Sequence, residues 1–450
     1  MEEGNNGGPD YTALGGERQS SMAALVAFAL LAGLANGYNG TVLEGAIPRL
    51  RVVGMISDAW QSGLLAAGLS IGGLAGSIAC TSMAYRLSRR NLVIAGEAVI
   101  VVSVLCFACS SSFTVALLGR ICTGFGVGIC GLAKPLIVSE QCAPQHRGLL
   151  VSLFSVGQSI GLNVFYLTDW ALPPSSIPWA WRILVAVGAA PAVFVVGLAF
   201  LPAAAPTSAY WDVPPRTAPK VGSAKSAKGG ATQQLMALLT KEPASVRRNF
   251  LLIVAMMLGY NLSGTLVIAN YASEIFAEAL NGHTDGARGL AVFVGAVQFL
   301  GLISAAVLVD RIGRRPLLLG SCFLTFVCLY SIAALIGLKS ALAPALGELH
   351  TPLLLSLMVA VEYAVGAGLS PIRVVLSAEL MPNAYRPLGM ALGNAVGWAL
   401  ALLSLFFFPV LSAMLGGPAP QFCFFGTVVA GLTILLFFQL PETKGIDFGA

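Results

Sequence analysis

Tyr85-Arg86-Leu87-Ser88-Arg89-Arg90 and Asp310-Arg311-Ile312-Gly313-Arg314-Arg315 are the stretches on which the fold turns. Each is a short basic cluster between two long apolar runs, and their first residues stand half of the 450-residue chain apart. A second pair repeats as well. Glu140-Gln141-Cys142-Ala143-Pro144-Gln145-His146-Arg147 and Glu379-Leu380-Met381-Pro382-Asn383-Ala384-Tyr385-Arg386 each set an Arg seven residues after a Glu. Such a duplication, embedded in apolar sequence, points to a membrane chain of two similar halves that can rock against each other around a central site.

Composition places that duplication in lipid. The chain is 57% hydrophobic and 10% charged, against about 45–50% and about 25% in soluble domains. Apolar runs of about 20 residues recur, long enough to cross a hydrocarbon layer of roughly 30 Å. Spans are predicted at 22–45, 59–83, 91–112, 115–138, 149–170 and 181–202, then at 250–276, 289–309, 317–338, 351–377, 388–414 and 422–440. The expected fold class is therefore an all-α membrane protein, with twelve transmembrane helices in two pseudo-symmetric six-helix bundles. Residues 1–21 form a tail, 22–202 the first bundle, 203–248 a linker, 249–440 the second bundle and 441–450 a second tail. The linker is rich in Pro, Ala, Ser and Lys, as flexible connectors are, with a short surface helix expected near Gln233–Leu239.

Lys and Arg fix the orientation. Arg86, Arg89, Arg90, Arg147, Arg216, Lys220, Lys225, Lys228, Arg311, Arg314, Arg315 and Arg386 follow even-numbered spans, whereas the opposite loops carry few, mainly Arg49, Arg51, Arg288 and Lys339. The positive-inside rule puts both termini and the linker in the cytoplasm. The net charge of +5 resides in these loops and marks no nucleic-acid surface. The Gly-rich, acidic start is unlike a cleavable signal peptide, and with no organelle address the plasma membrane is the default location.

Several chemistries have no support. No G-x-x-x-x-G-K-[ST] loop for an ATP motor occurs. His146, His283 and His350 fall in predicted loops and form no metal-like set. Cys106 and Cys109 have CxxC spacing but sit within a span without a second pair. Asn39 and Asn261 match the glycosylation pattern only inside helices. The sequence implies no cofactor, no metal and no enzyme activity; its partners are a small solute and the bilayer, and no oligomer is required.

The ordered motifs resemble the sugar porter branch of the major facilitator superfamily. They are Gly37-Tyr38-Asn39; Gly119-Arg120 with Gly124, Gly126, Gly128, Pro135, Ser139, Glu140, Pro144, Arg147 and Gly148; Trp181-Arg182; Asp310 through Arg315; Ala378-Glu379-Leu380 through Arg386; and Pro441-Glu442-Thr443-Lys444-Gly445. The resemblance implies a hexose-type transporter. Independently, Arg forks pair bidentately with carboxylates. Glu140, Glu379 and Glu442, with Asp310, are thus expected to bond Arg86, Arg90, Arg147, Arg311, Arg314, Arg315 and Arg386 in a cytoplasmic gate tying the halves together. Tyr85 and Ser88 replace the family's acidic residue and glycine, which loosens the first-half latch.

A sugar site needs neutral polar side chains and aromatic rings at mid-membrane, where polar groups are otherwise costly. Asn39, Ser155, Gln158, Tyr260, Asn261, Thr265, Gln298 and Trp398 are the candidates, with Asn163, Ser263, Asn270 and Asn394 beside them. Leu262-Ser263-Gly264 resembles the family's seventh-helix segment, but Tyr260 and Asn261 stand at its two Gln positions, and Arg373-Val374 replaces a Pro-Trp pair. Arg373 is a cation in a span, either an anion site or a partner of Glu362, although eleven residues of helix, about 17 Å, separate the two. Asn39 stands where proton-coupled relatives carry Asp; because an amide cannot titrate, uniport is expected over proton symport, and Glu44 is expected to be solvated. A polyol or organic-anion carrier is the alternative. A non-transporting receptor is the rival class, and the short tail after the last span argues against it.

Overall fold

The computed structural model describes residues 17–83, 87–141, 147–172, 177, 179–200, 244–279, 284–338, 342, 346–381 and 386–442. The first half holds α1 (Glu17–Thr41), α2 (Leu43–Val52), α3 (Ala59–Met83), α4 (Arg89–Ala108), α5 (Phe113–Gln141), α6 (Arg147–Ala171), α7 (Ala180–Val187) and α8 (Ala189–Phe200). The second holds α9 (Ala244–Asn261), α10 (Thr265–Ala279), α11 (Thr284–Ile312), α12 (Arg314–Gly337), α13 (His350–Ala364), α14 (Ser370–Glu379), α15 (Arg386–Leu415) and α16 (Ala419–Gln439). Four spans are composite: α1–α2 is the first, α7–α8 the sixth, α9–α10 the seventh and α13–α14 the tenth. Eleven spans are long and apolar enough to cross a membrane among the described residues, and the 25-residue α6 is the twelfth. The first span runs on to Val52, past the expected 45, and α9 starts at Ala244, inside the stretch expected to be linker. The short helix expected near Gln233 lies outside the described residues.

Helices are the only regular elements among the described residues, because in hydrocarbon each backbone N–H and C=O must find its partner within its own segment. Lipid-facing surface is read from exposed large side chains. Val102 on α4, Phe194 on α8, Phe323 on α12 and Phe438 on α16 are each more than half exposed. These belong to the third and sixth spans of each half, and Leu118 on α5 and Phe293 on α11 add to the same lipid-facing surface.

Packing inside the halves follows a twofold pattern. Span 1 packs on span 5, span 2 on span 4 and span 3 on span 6; span 7 packs on span 11, span 8 on span 10 and span 9 on span 12. Helices gain no hydrophobic drive to associate in lipid, so close backbone approach has to supply the contact. A Cβ on Gly72 of α3 or Gly124 of α5 would overlap the carbonyl of Ile121 or Leu69 on the facing helix. The equivalent pair in the second half is Gly301 and Gly366, whose added Cβ atoms would each lie 2.6 Å from a backbone oxygen, of Tyr363 and Gln298 respectively.

Between the halves, span 2 packs on span 11 and span 5 on span 8, contacts that the same pseudo-twofold exchanges, while α2 meets α10. The helices are interrupted near mid-depth. The seventh span breaks at Leu262–Gly264, with Gly264 at φ +80°, a conformation glycine adopts without a Cβ penalty. The tenth widens into a π-turn over Val365–Leu369, where Ser321 Oγ donates to Ala364 O at 2.6 Å and accepts from Leu369 N at 3.0 Å. Replacing Gly124 by Val forces α3 and α5 apart and is expected to cost about 1–3 kcal/mol, read as lower resistance to denaturant in detergent. Unchanged stability would mean the helices do not approach as described.

Candidate functional site

The interrupted seventh and tenth spans bring Tyr260, Asn261, Thr265, Glu362 and Arg373 to the middle of the second half, near Gln298 of α11 and Trp398 of α15. Two distinct polar groups result. In the first, Glu362 of α13 is 1% exposed; its Oε1 accepts from Thr265 Oγ1 at 2.9 Å and its Oε2 from Gln298 Nε2 at 2.6 Å. Gln298 and Thr265, both expected at the site, thus converge on a carboxylate that sequence reasoning had considered only as a partner for Arg373.

Arg373 takes a different partner. Its guanidinium carbon lies 3.8 Å from the ring centroid of Tyr260, and Nη1 lies 3.2 Å from Met257 Sδ. The supposed Arg373–Glu362 pair is not formed, and the helical distance between the two residues is the reason. Asn261 is buried, donates to Met257 O at 2.8 Å and accepts from Ser404 Oγ at 3.0 Å through its own carbonyl. Trp398 lies against Gly73 of α3, so it joins the two halves, and its Nε1 is buried without a hydrogen-bond partner.

The first half contributes less to the centre. Asn39 is 1% exposed, with its amide donating to Ala35 O at 2.9 Å and Gly188 O at 3.0 Å. Arg120 donates to Asn39 O at 2.6 Å. Asn39 therefore holds the first span against the break in the sixth. Ser155 is half-buried and Gln158 exposed on α6. Asn163 bridges to Gly295 O of α11 at 3.1 Å, Asn394 to Ser77 Oγ of α3 at 3.0 Å, and Ser263 and Asn270 bond to their own helix backbones. Sequence reasoning missed a buried pair here. Lys134 Nζ lies 2.5 Å from Glu97 Oε1 and donates to Ala32 O and Asn36 Oδ1, tying α5, α4 and α1 together. Its signal was available, as two opposite charges in adjacent spans.

On the face where α8 ends and α9 begins, the second-half cluster takes definite form. Glu442 accepts from the backbone N of Arg314 and of Arg315, both at 3.0 Å, so it caps the start of α12. Gly313 allows this, with φ +101° and an added Cβ only 2.8 Å from Glu442 Oε2. Arg314 Nη2 reaches Glu379 Oε1 at 3.5 Å, and Arg315 donates to Phe437 O at 2.6 Å. These bonds join spans 9, 10 and 12 within one half. Arg90 is half-buried at the start of α4, and Arg311 is exposed. The side chains of Arg86, Glu140, Arg147, Asp310 and Arg386 lie outside the described residues.

On the opposite face, bonds between the described residues tie the halves together. Arg49 of α2 forms a buried ion pair with Asp169 of α6. Arg288 of α11 crosses from the other half to donate to Asp169 O at 2.9 Å and Leu172 O at 3.1 Å. Tyr166 of α6 donates to Ala269 O of α10 at 3.3 Å. Glu44, expected to be solvated, is 1% exposed, because α2 continues the first span and packs on α7 and α10. The loop arginines that sequence reading treated as sparse exceptions turn out to close this mouth.

Comparison with known proteins agrees with this architecture. A family model described as "Sugar (and other) transporter" matches residues 20–450. The mouse protein named solute carrier family 2, facilitated glucose transporter member 10, is 27% identical over 96% of this chain and 93% of its own length. The galactose-proton symporter of Escherichia coli K12 is also 27% identical, over 96% and 94%. The inward-open structure of the E. coli xylose transporter XylE superposes with a TM-score of 0.75 at 19% identity, covering 95% of this chain and 98% of that one. At that identity the likeness speaks for the fold.

Arg288→Ala removes both inter-half bonds of that side chain. It is expected to widen the far mouth, read as increased distances between spin labels on α6 and α11; unchanged distances would remove Arg288 from the lock.

Proposed function

This chain belongs to the sugar transporter family, an integral multi-pass membrane family of secondary carriers and not of enzymes, and on that premise we propose that it moves a hexose or a closely related polyhydroxylated solute by alternating access, as a uniporter. The observation that carries the reading is the exchange symmetry of the inter-half contacts. Spans 2 and 11 and spans 5 and 8 are related pairs flanking a mid-depth cluster of Tyr260, Asn261 and Trp398. Two halves joined by equivalent seams can pivot one way or the other at equal geometric cost, exposing the centre to either side.

The plasma membrane, with both termini cytoplasmic, is the proposed setting, supported by the arginine-rich linker face. In that orientation the Arg49–Asp169–Arg288 lock is external. Glu442, Glu379, Arg314 and Arg315 then form an internal latch that keeps the second half rigid. We propose that it closes against Arg86, Arg90, Glu140, Arg147, Asp310, Arg311 and Arg386 when the inner mouth shuts.

Uniport rests on Asn39, whose amide cannot carry a proton and is bonded to Gly188 O. One observation favours a second reading. Glu362 is a buried carboxylate with no cation bonded to it among the described residues, held by Thr265 and Gln298, with Tyr166 of α6 within electrostatic reach. Intramembrane carboxylates of this kind serve proton relays elsewhere.

In liposomes containing the purified chain, labelled glucose or galactose is expected to equilibrate without accumulating, whether or not an inward proton gradient is imposed. Gradient-driven accumulation that Glu362→Gln abolishes would replace uniport by proton coupling. Saturable binding without flux would leave the receptor reading instead.

A further inference from the structure

Arg373 stands out among the charges inside the spans. The other buried cations have acceptors of full or partial negative charge: Arg49 has Asp169, Lys134 has Glu97, and Arg120 has the carbonyls of Asn39 and Gly40. Arg373 contacts the face of Tyr260 and the thioether of Met257. Neither carries formal charge. A ring face and a sulfur recover only a fraction of what a guanidinium loses on leaving water. Glu362 is bonded to Thr265 and Gln298, and Glu379 to Arg314, so neither carboxylate on the same span neutralises it.

The chemistry around Arg373 is unbalanced in one direction. Its Nε is buried and makes no hydrogen bond, and so is Nε1 of Trp398. Both are donors. Gly397, the neighbour of Trp398, faces Met257 Sδ and Asn261 Nδ2, which places Arg373, Tyr260, Asn261 and Trp398 around one region at the seam of the halves. A ligand that completes this region brings acceptors and a negative charge. Tyr260 holds the guanidinium over its ring, 3.8 Å from the centroid, and a guanidinium fork can meet a carboxylate with two parallel N–H bonds.

We propose that Arg373, stacked on Tyr260, binds the carboxylate of an acidic sugar, so that this carrier takes hexuronates or similar sugar acids in preference to the neutral hexoses. The proposal rests on the sugar-transport reading and narrows it. Asn261 and Trp398 then serve the hydroxyl groups, and the charge of Arg373 is neutralised only when the site is filled.

The test uses the full chain in liposomes, with glucose, glucuronate and glucuronamide as probes. The amide keeps the shape of glucuronate but not its charge. Glucuronate is expected to compete about 10- to 100-fold better than glucose, the range of a charge-assisted pair, and glucuronamide to lose that advantage. Arg373→Gln should collapse the glucuronate-to-glucose affinity ratio towards one, and Arg373→Lys should restore part of it. Because the amide comparison uses the unaltered protein, a variant that fails to fold does not spoil the test. Glucose transport with no preference for glucuronate, or equal competition by glucuronate and glucuronamide, would overturn the proposal and leave sugar transport standing. Absence of flux for every sugar and sugar acid would overturn both.

Discussion

Lipid offers no hydrogen bonds and no counter-ions, and every feature of this protein answers to that constraint. Backbone groups are satisfied inside helices, and helices are held together where glycine lets one backbone reach another, as at Gly72–Ile121 and Gly124–Leu69. Charges that enter the spans must find partners there too. Lys134 and Glu97 neutralise each other while bonding three helices. Arg120 lies against carbonyls freed near the bend of the first span. Among the polar groups left incompletely matched are Arg373 Nε and Trp398 Nε1, and Trp398 lies at the seam of the two halves, where a polar solute would pass.

The same constraint shapes how the molecule can move. Tight glycine-lined contacts lie within each half, so each half behaves as a block. Between the halves, glycine-lined approach at Gly63 and Gly73 is joined by single side chains reaching a backbone oxygen, such as Arg288 to Asp169 and Tyr166 to Ala269. Such bonds are individually modest and exchange readily for water at a mouth. Firm blocks joined by a symmetric seam are the physical requirement for rocking. The breaks at Gly264 and in the π-turn before Ser370 lie in the spans that border this seam.

Much of this was legible in the chain. Hydropathy and length located all twelve spans, because a 20-residue apolar run has few other uses. The duplicated Arg clusters located the repeat, and Arg314 reaches Glu379, while Glu442 accepts from the backbone N–H groups of Arg314 and Arg315. The site was less legible. Asn39 and Gln298 were read as sugar ligands from their polarity, yet Asn39 holds Gly188 and Gln298 holds Glu362. An amide in a span looks the same in sequence whether it faces a pore or a neighbouring helix. Glu44 was read as solvated because nothing local indicates that α2 prolongs the first span into packed protein.

By itself, then, the sequence determined the membrane class, the number and order of spans and the twofold repeat, since these follow from local hydropathy, helical length and charge placement. Only the tertiary structure decided which polar side chains are glue and which are unsatisfied, which face is locked, and that Arg373 rests on Tyr260 and not on Glu362. Those outcomes depend on the rotation of each helix about its axis and on which span it meets. Both are set by packing between segments far apart in the chain, and no local pattern encodes them.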